Sequence, residues 1–127
     1  MAKLRHVAVS VANLEEAARF YEETFELKRL SENDIAINLS DGVVNLTLLH
    51  FPTDEMAGDA RGKDYVGVHH IGFITDDAEA LGKRIKEKGG QFKGASPSPQ
   101  GRNAEDKYTD PEGIVFDVSQ HGWLGTS

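Results

Sequence analysis

A chain of 127 residues suits one domain, or two small modules sharing a core. Its 21 acidic against 14 basic residues give a net charge of −7, which argues against a phosphate-tracking nucleic-acid surface and is that of a well-solvated protein. With no cysteine, disulfides, thiolate metal ligands and cysteine nucleophiles are excluded.

No apolar stretch approaches the roughly 18 residues of a membrane span, and the N-terminus lacks a signal-peptide core, so the expected location is cytoplasmic, with no membrane partner. From the N-terminus, Val7, Val9 and Val11 alternate with His6, Ala8 and Ser10, the period of a strand. Leu14, Ala17, Ala18, Tyr21 and Phe25 follow at helical spacing, and Asn13 with Glu16 forms a capping-box pattern at the helix start. Lys28 to Leu39 carries a weaker pattern and is expected to hold further strands. Beyond the Asp41-Gly42 turn, Val44, Leu46 and Leu48 alternate with Asn45, Thr47 and Leu49. The polar segment from Phe51 to Val66 reads as a connection.

The pattern then starts again. Ile71 and Phe73 alternate with His70, Gly72 and Ile74. A second helix is expected on Ala78, Leu81, Gly82 and Ile85, capped by Asp76 with Glu79 and stopped by Gly89-Gly90. Gln91 to Tyr108 is expected to hold weakly patterned strands. Past the Asp110–Gly113 turn, Ile114, Phe116 and Val118 alternate with Val115, Asp117 and Ser119.

Residue n set on residue n+64 makes the repeat explicit: His6 falls on His70, Val7 on Ile71, Val9 on Phe73, Asn13 on Asp77 and Ala17 on Leu81. The expected fold is therefore α+β, two βαβββ modules with a mixed or antiparallel sheet. The modules span 1–52 and 67–127 of a single domain and are joined by 53–66. Apolar strand positions face the helices, so the alternate positions line the opposite face. That parity selects His6, Asn45, His70 and Asp117 on four separate strands. A lone strand histidine is most often solvated or hydrogen-bonded, but these two occupy equivalent places in a repeat. Two imidazoles and a carboxylate suit Fe(II), Mn, Ni, Co or Zn. His69 has the wrong parity, His50 lies at a strand end and His121 is in the tail; all three read as structural or solvated.

The segments "RHVAVSVANLEEAARFYEETFEL", "VHHIGFITDD" and "DPEGIVFDV" resemble the vicinal oxygen chelate superfamily of glyoxalases, bleomycin-resistance proteins and dioxygenases. The resemblance implies sheets forming a cup around a divalent metal, helices outside, with ligands from the first and last strands of each module: His6, Asn45, His70 and Asp117. It also implies Lewis-acid chemistry on two neighbouring substrate oxygens. Departures are visible. Asn45 stands where Glu or Gln is usual, Asp117 where Glu is usual, and Ser10 where the glutathione-dependent branch often has arginine. The expected function is a small metal-dependent lyase or isomerase-like enzyme, or an oxygenase, with Asp117 as ligand or base and Ser10, Thr47 and Tyr108 as substrate-binding candidates. The competing reading is a metal-free protein that sequesters a small molecule of the bleomycin type. The segments 51–66 and 93–106 are the expected substrate-shaping loops, and the resemblance implies a homodimer.

Overall fold

The computed structural model describes residues 1–58, 61–96 and 104–127, and the strands and helices follow the expected order. They are β1 (Lys3–Ser10), α1 (Leu14–Phe25), β2 (Lys28–Glu32), β3 (Ala36–Ser40), β4 (Asn45–Leu49), α2 (Asp54–Ala57), β5 (Gly67–Ile74), α3 (Ala78–Glu87), β6 (Gln91–Ser96), β7 (Glu105–Thr109) and β8 (Val115–Ser119). The chain divides into two compact units, residues 6–69 with 124–127, and residues 1–5 with 70–123.

In the unit built on residues 6–69, β1 runs parallel to β4, β4 antiparallel to β3, and β3 antiparallel to β2. Helix α1 starts where the Asn13 side chain accepts the Glu16 amide at 3.0 Å, and Glu15 and Glu16 place negative charge on the positive end of its dipole. It stops at Glu26, the one described non-glycine residue in the left-handed region, with φ of 59°. Leu14, Ala17, Ala18 and Tyr21 then cover one sheet face. There Ile37, Leu39 and Leu48 form the core, with Val9, Val11 and Leu46 packed against it. Leu39 and Leu48 are fully buried, each contributing roughly 1.5–3 kcal/mol. Phe25, expected on this face, is largely exposed. Arg29 on β2 is clamped by Glu15 and Glu22 of α1, which ties the helix to the edge strand.

The unit built on residues 70–123 repeats the plan: β5 parallel to β8, β8 antiparallel to β7, and β7 antiparallel to β6. Its helix-side core is aromatic. Tyr108 stacks on Phe116 at 5.8 Å between ring centroids, and Phe73 meets Phe116 edge-on. The cap of α3 is Asp77, which accepts the Ala80 amide, and not the expected Asp76. Asp77 is the repeat mate of the Asn13 cap, so equivalence outranks the local box pattern here. The segment 51–66 is more than a connection, since Thr53 caps the short helix α2 within it. Among the described residues no helix is long and apolar enough to cross a membrane.

Helix α3 ends as the glycine pair requires. Gly89 takes φ of 98°, and the Gly90 amide closes on the Ile85 carbonyl at 2.9 Å. A Cβ on Gly90 would meet Ile85 Cγ2 at 2.4 Å and the Thr109 carbonyl oxygen at 3.0 Å. Gly90→Ala is therefore expected to destabilise the protein by about 1–3 kcal/mol in urea unfolding. An unchanged midpoint would mean that the α3–β6 turn is not close-packed.

Candidate functional site

The face of each sheet turned away from its helix carries the polar residues selected by parity, and it is as buried as the helix side. In the first unit His6 is 3% exposed and Asn45 fully buried. Strand register sets them opposite one another across β1 and β4. The His6 Nδ1–H donates to Asn45 Oδ1 at 2.7 Å. That bond fixes the neutral ring with its proton on Nδ1 and its lone pair on Nε2. Asn45 Nδ2 donates to Asn38 Oδ1 and to the Leu124 carbonyl, each at 3.0 Å. The Thr47 hydroxyl lies 2.6 Å from Asn45 Oδ1 and 2.9 Å from Asn38 Oδ1, either of which accepts its proton. Asn45 Oδ1 is within hydrogen-bond reach of both His6 and Thr47.

Asp117 lies opposite Gly72, the repeat mate of Ala8, and the residue opposite Ala8 is Thr47. Thr47, not Asn45, is therefore the structural counterpart of Asp117. Asn45 and Thr47 share a face, so parity alone could not separate them.

In the second unit Asp117 has no exposed surface and His70 is 7% exposed. His70 Nε2 lies 2.9 Å from Asp117 Oδ2. At that distance the His70 Nε2–H donates to the carboxylate. Two further residues on the same face were not singled out by the sequence reading. Lys107 sits opposite Asp117 on β7, with Nζ at 3.1 Å from Oδ1 and 3.3 Å from Oδ2. Glu105, two residues earlier, accepts the Trp123 indole N–H at 2.8 Å. Extending parity from Asp117 across β7 would have found both, but β7 lacks the clean alternation that would have set its register.

These neighbours set the charge. Against burial, the hydrogen bond and electrostatic attraction from His70, with the Lys107 ammonium, hold the Asp117 carboxyl well below the usual carboxylate range. Such a group is a good ligand and a poor proton acceptor. Burial, reinforced by the Asp117 charge and by a hydrogen bond to it, pushes Glu105 up to about 8. Glu105 is therefore largely protonated at neutral pH, and two carboxyls share one negative charge.

The other candidates sort differently. His69 Nε2 donates to the Ala57 carbonyl at 2.6 Å and its ring packs on Phe51, so it fastens α2 to β5. His50 Nδ1 donates to the Val11 carbonyl at 3.0 Å, and His121 is exposed. Ser10 is buried on β1. Tyr108, expected to bind substrate, lies on the helix face instead, stacked on Phe116 with its hydroxyl against Gly82 of α3. Residues 97–103, the middle of the expected loop 93–106, and residues 59–60 of the loop 51–66 lie outside the described residues.

Comparison with known proteins agrees with this layout. The profile of the Glyoxalase/Bleomycin resistance protein/Dioxygenase superfamily matches residues 3–118. No protein of curated function matches the sequence significantly. Among solved structures, a hypothetical protein from Bacillus halodurans C-125 is similar at a TM-score of 0.71 and 21% identity, covering 92% of each chain. Methylmalonyl-CoA epimerase from Mycobacterium tuberculosis matches at 0.70 and 18%, covering 91% of this chain and 85% of its own. A variant of the Streptomyces coelicolor methylmalonyl-CoA epimerase, in complex with 2-nitronate-propionyl-CoA, matches at 0.72 and 20%, covering 96% and 94%. At these identities the likeness is one of fold.

Because Glu105 binds a proton more tightly folded than unfolded, the folded state holds more protons than the unfolded state between the ordinary value of 4.5 and about 8. Stability should fall as pH rises through that window. Glu105→Gln, which keeps a neutral acceptor for Trp123, is expected to flatten the fall and to raise the melting temperature at pH 8. An equal slope in wild type and variant would show that Glu105 titrates normally.

Proposed function

As the chain belongs to the Glyoxalase/Bleomycin resistance protein/Dioxygenase superfamily, we propose that it is a single-domain, divalent-metal-dependent enzyme of the isomerase or lyase type. Its substrate would be a small molecule bearing two neighbouring oxygens. The observation that carries this reading is the buried His70–Asp117 pair, two donors at 2.9 Å with the carboxylate kept ionised. The repeat makes His6 the equivalent of His70, and it is proposed as the third donor; two imidazoles and a carboxylate suit Fe(II), Mn, Ni, Co or Zn. A bound ion supplies Lewis acidity, polarising the substrate oxygens and stabilising the anion left when a proton departs.

The remaining work falls to the chain. Asn45 keeps His6 in the tautomer whose Nε2 can ligate. His70 and Lys107 keep Asp117 charged in a setting that water does not reach. With Asn45 and Thr47 neutral, the first module has no carboxylate to pass a proton, so a symmetric two-carboxylate shuttle is not the mechanism proposed. Fold neighbours that are epimerases, one of them holding an acyl-CoA nitronate, favour the isomerase branch over the oxygenase branch.

One observation favours the metal-free binding reading: the Lys107 ammonium already neutralises Asp117. Calorimetric titration with Mn(II), Ni(II), Zn(II) and Fe(II) separates the two. His6→Ala, His70→Ala and Asp117→Ala are each expected to abolish tight binding. Asn45→Ala should weaken it modestly, and His69→Ala should leave it intact because that ring is committed to Ala57. Wild-type affinity weaker than about 100 micromolar for all four ions, about −5.5 kcal/mol, would sink the enzyme reading in favour of the binder. We also propose a homodimer, the commonest closed assembly; sedimentation showing only monomer at micromolar concentration would refute it.

A further inference from the structure

Lys107 is a basic residue on this face of the second unit that the proposed ligand set leaves out. It faces Asp117 directly across the β7–β8 ladder, where side chains stand about 5 Å apart. Its ammonium touches both carboxylate oxygens, at 3.1 and 3.3 Å. Asp117 has no contact with solvent, whereas the Lys107 side chain is 35% exposed. One end of this pair is fixed and buried; the other is a flexible four-carbon arm with a way out to water. The first module holds the neutral version of the same pair, Asn38 opposite Thr47, with a hydroxyl–amide contact at 2.9 Å. The cation is specific to the half of the repeat that carries the carboxylate.

We propose that Lys107 is a resident counter-ion which a divalent ion displaces from Asp117, and that the displaced ammonium then binds an anionic oxygen of the substrate. The inference rests on the metal reading above and adds a substrate class to it: acids, carrying a carboxylate beside the reacting oxygens. The reasoning is electrostatic. A carboxylate with no water must be paired at all times, and without an ion Lys107 shares that part with His70. A divalent ion on the same oxygens repels an ammonium a few ångströms away, and the exposed arm swings aside instead of being crushed against it. The ion and the freed ammonium together leave excess positive charge at one spot on a chain of net charge −7. Such a spot selects an anion.

The test uses the intact protein and three variants: Lys107→Gln, Lys107→Met and Lys107→Arg. Mn(II) is titrated calorimetrically into each. Propionate, a weakly chelating carboxylate, is then titrated into Mn(II)-saturated protein, and broadening of its methyl resonance reports proximity to the ion. Lys107→Gln and Lys107→Met are expected to bind Mn(II) at least tenfold tighter than wild type, which is about 1.4 kcal/mol, because the competing cation is gone. They should bind propionate at least fivefold more weakly. Lys107→Arg, which keeps the charge, should stay within threefold of wild type in both. If Lys107→Met does not fold, Lys107→Gln carries the comparison, since its amide can still hydrogen-bond Asp117. Measurable Mn(II) binding that is equal in wild type and Lys107→Gln overturns the counter-ion role. Tighter Mn(II) binding with unchanged propionate affinity overturns the substrate role. Absence of Mn(II) binding in every variant, Lys107→Gln included, overturns the metal reading beneath both.

Discussion

A carboxylate without exposed surface, in the middle of a strand, constrains everything around it. Asp117 has to be paired, and each neighbour is accounted for by that need. His70 reaches it from β5 and Lys107 from β7, while Glu105 gives up its own charge beside it. Trp123, buried, holds Glu105 in place through its indole N–H. Removing His70 or Lys107 would leave the buried charge undercompensated, which costs more than the lost contact itself.

The repeat shows what that charge changes. Both modules share strand order and parallel first-to-last pairing. At the matched positions the first module has Thr47, Asn38 and Asn45, a neutral network in which amides and a hydroxyl satisfy one another. The second has Asp117 and Lys107. One backbone plan thus carries a rigid neutral half, which orients His6, and a charged half, which offers a displaceable cation. A symmetric pair of carboxylates would permit proton passage in both directions. The first module carries no carboxylate at these positions, and the second carries one.

The helices have a supporting part. Each covers the apolar face of its own sheet, and the caps Asn13 and Asp77 set where each begins. With strand register then pinned by turns and the apolar faces, a slip of one residue would send His6 or Asp117 into the helix-side core. The polar face is specified by the apolar one behind it.

Much of this was legible from one dimension. Period-2 and period-3.6 patterns located the two strand–helix starts, the closing strands and the face on which His6, His70 and Asp117 lie, because side-chain direction alternates strictly along a strand. The 64-residue offset marked the two histidines as equivalent. Sequence could not fix register, since parity is unchanged by a shift of two, and so Asn45 was taken for the counterpart of Asp117 when Thr47 is. Nor could it place Glu105, Lys107 and Tyr108, whose strand follows a long polar stretch of sequence and lacks a clean alternation. Their faces were decided by pairing with β8, which puts Lys107 against a buried carboxylate and Tyr108 against Phe116. Composition and local period determine which residues face the same way; only cross-strand hydrogen bonding, a tertiary property, decides which of them meet.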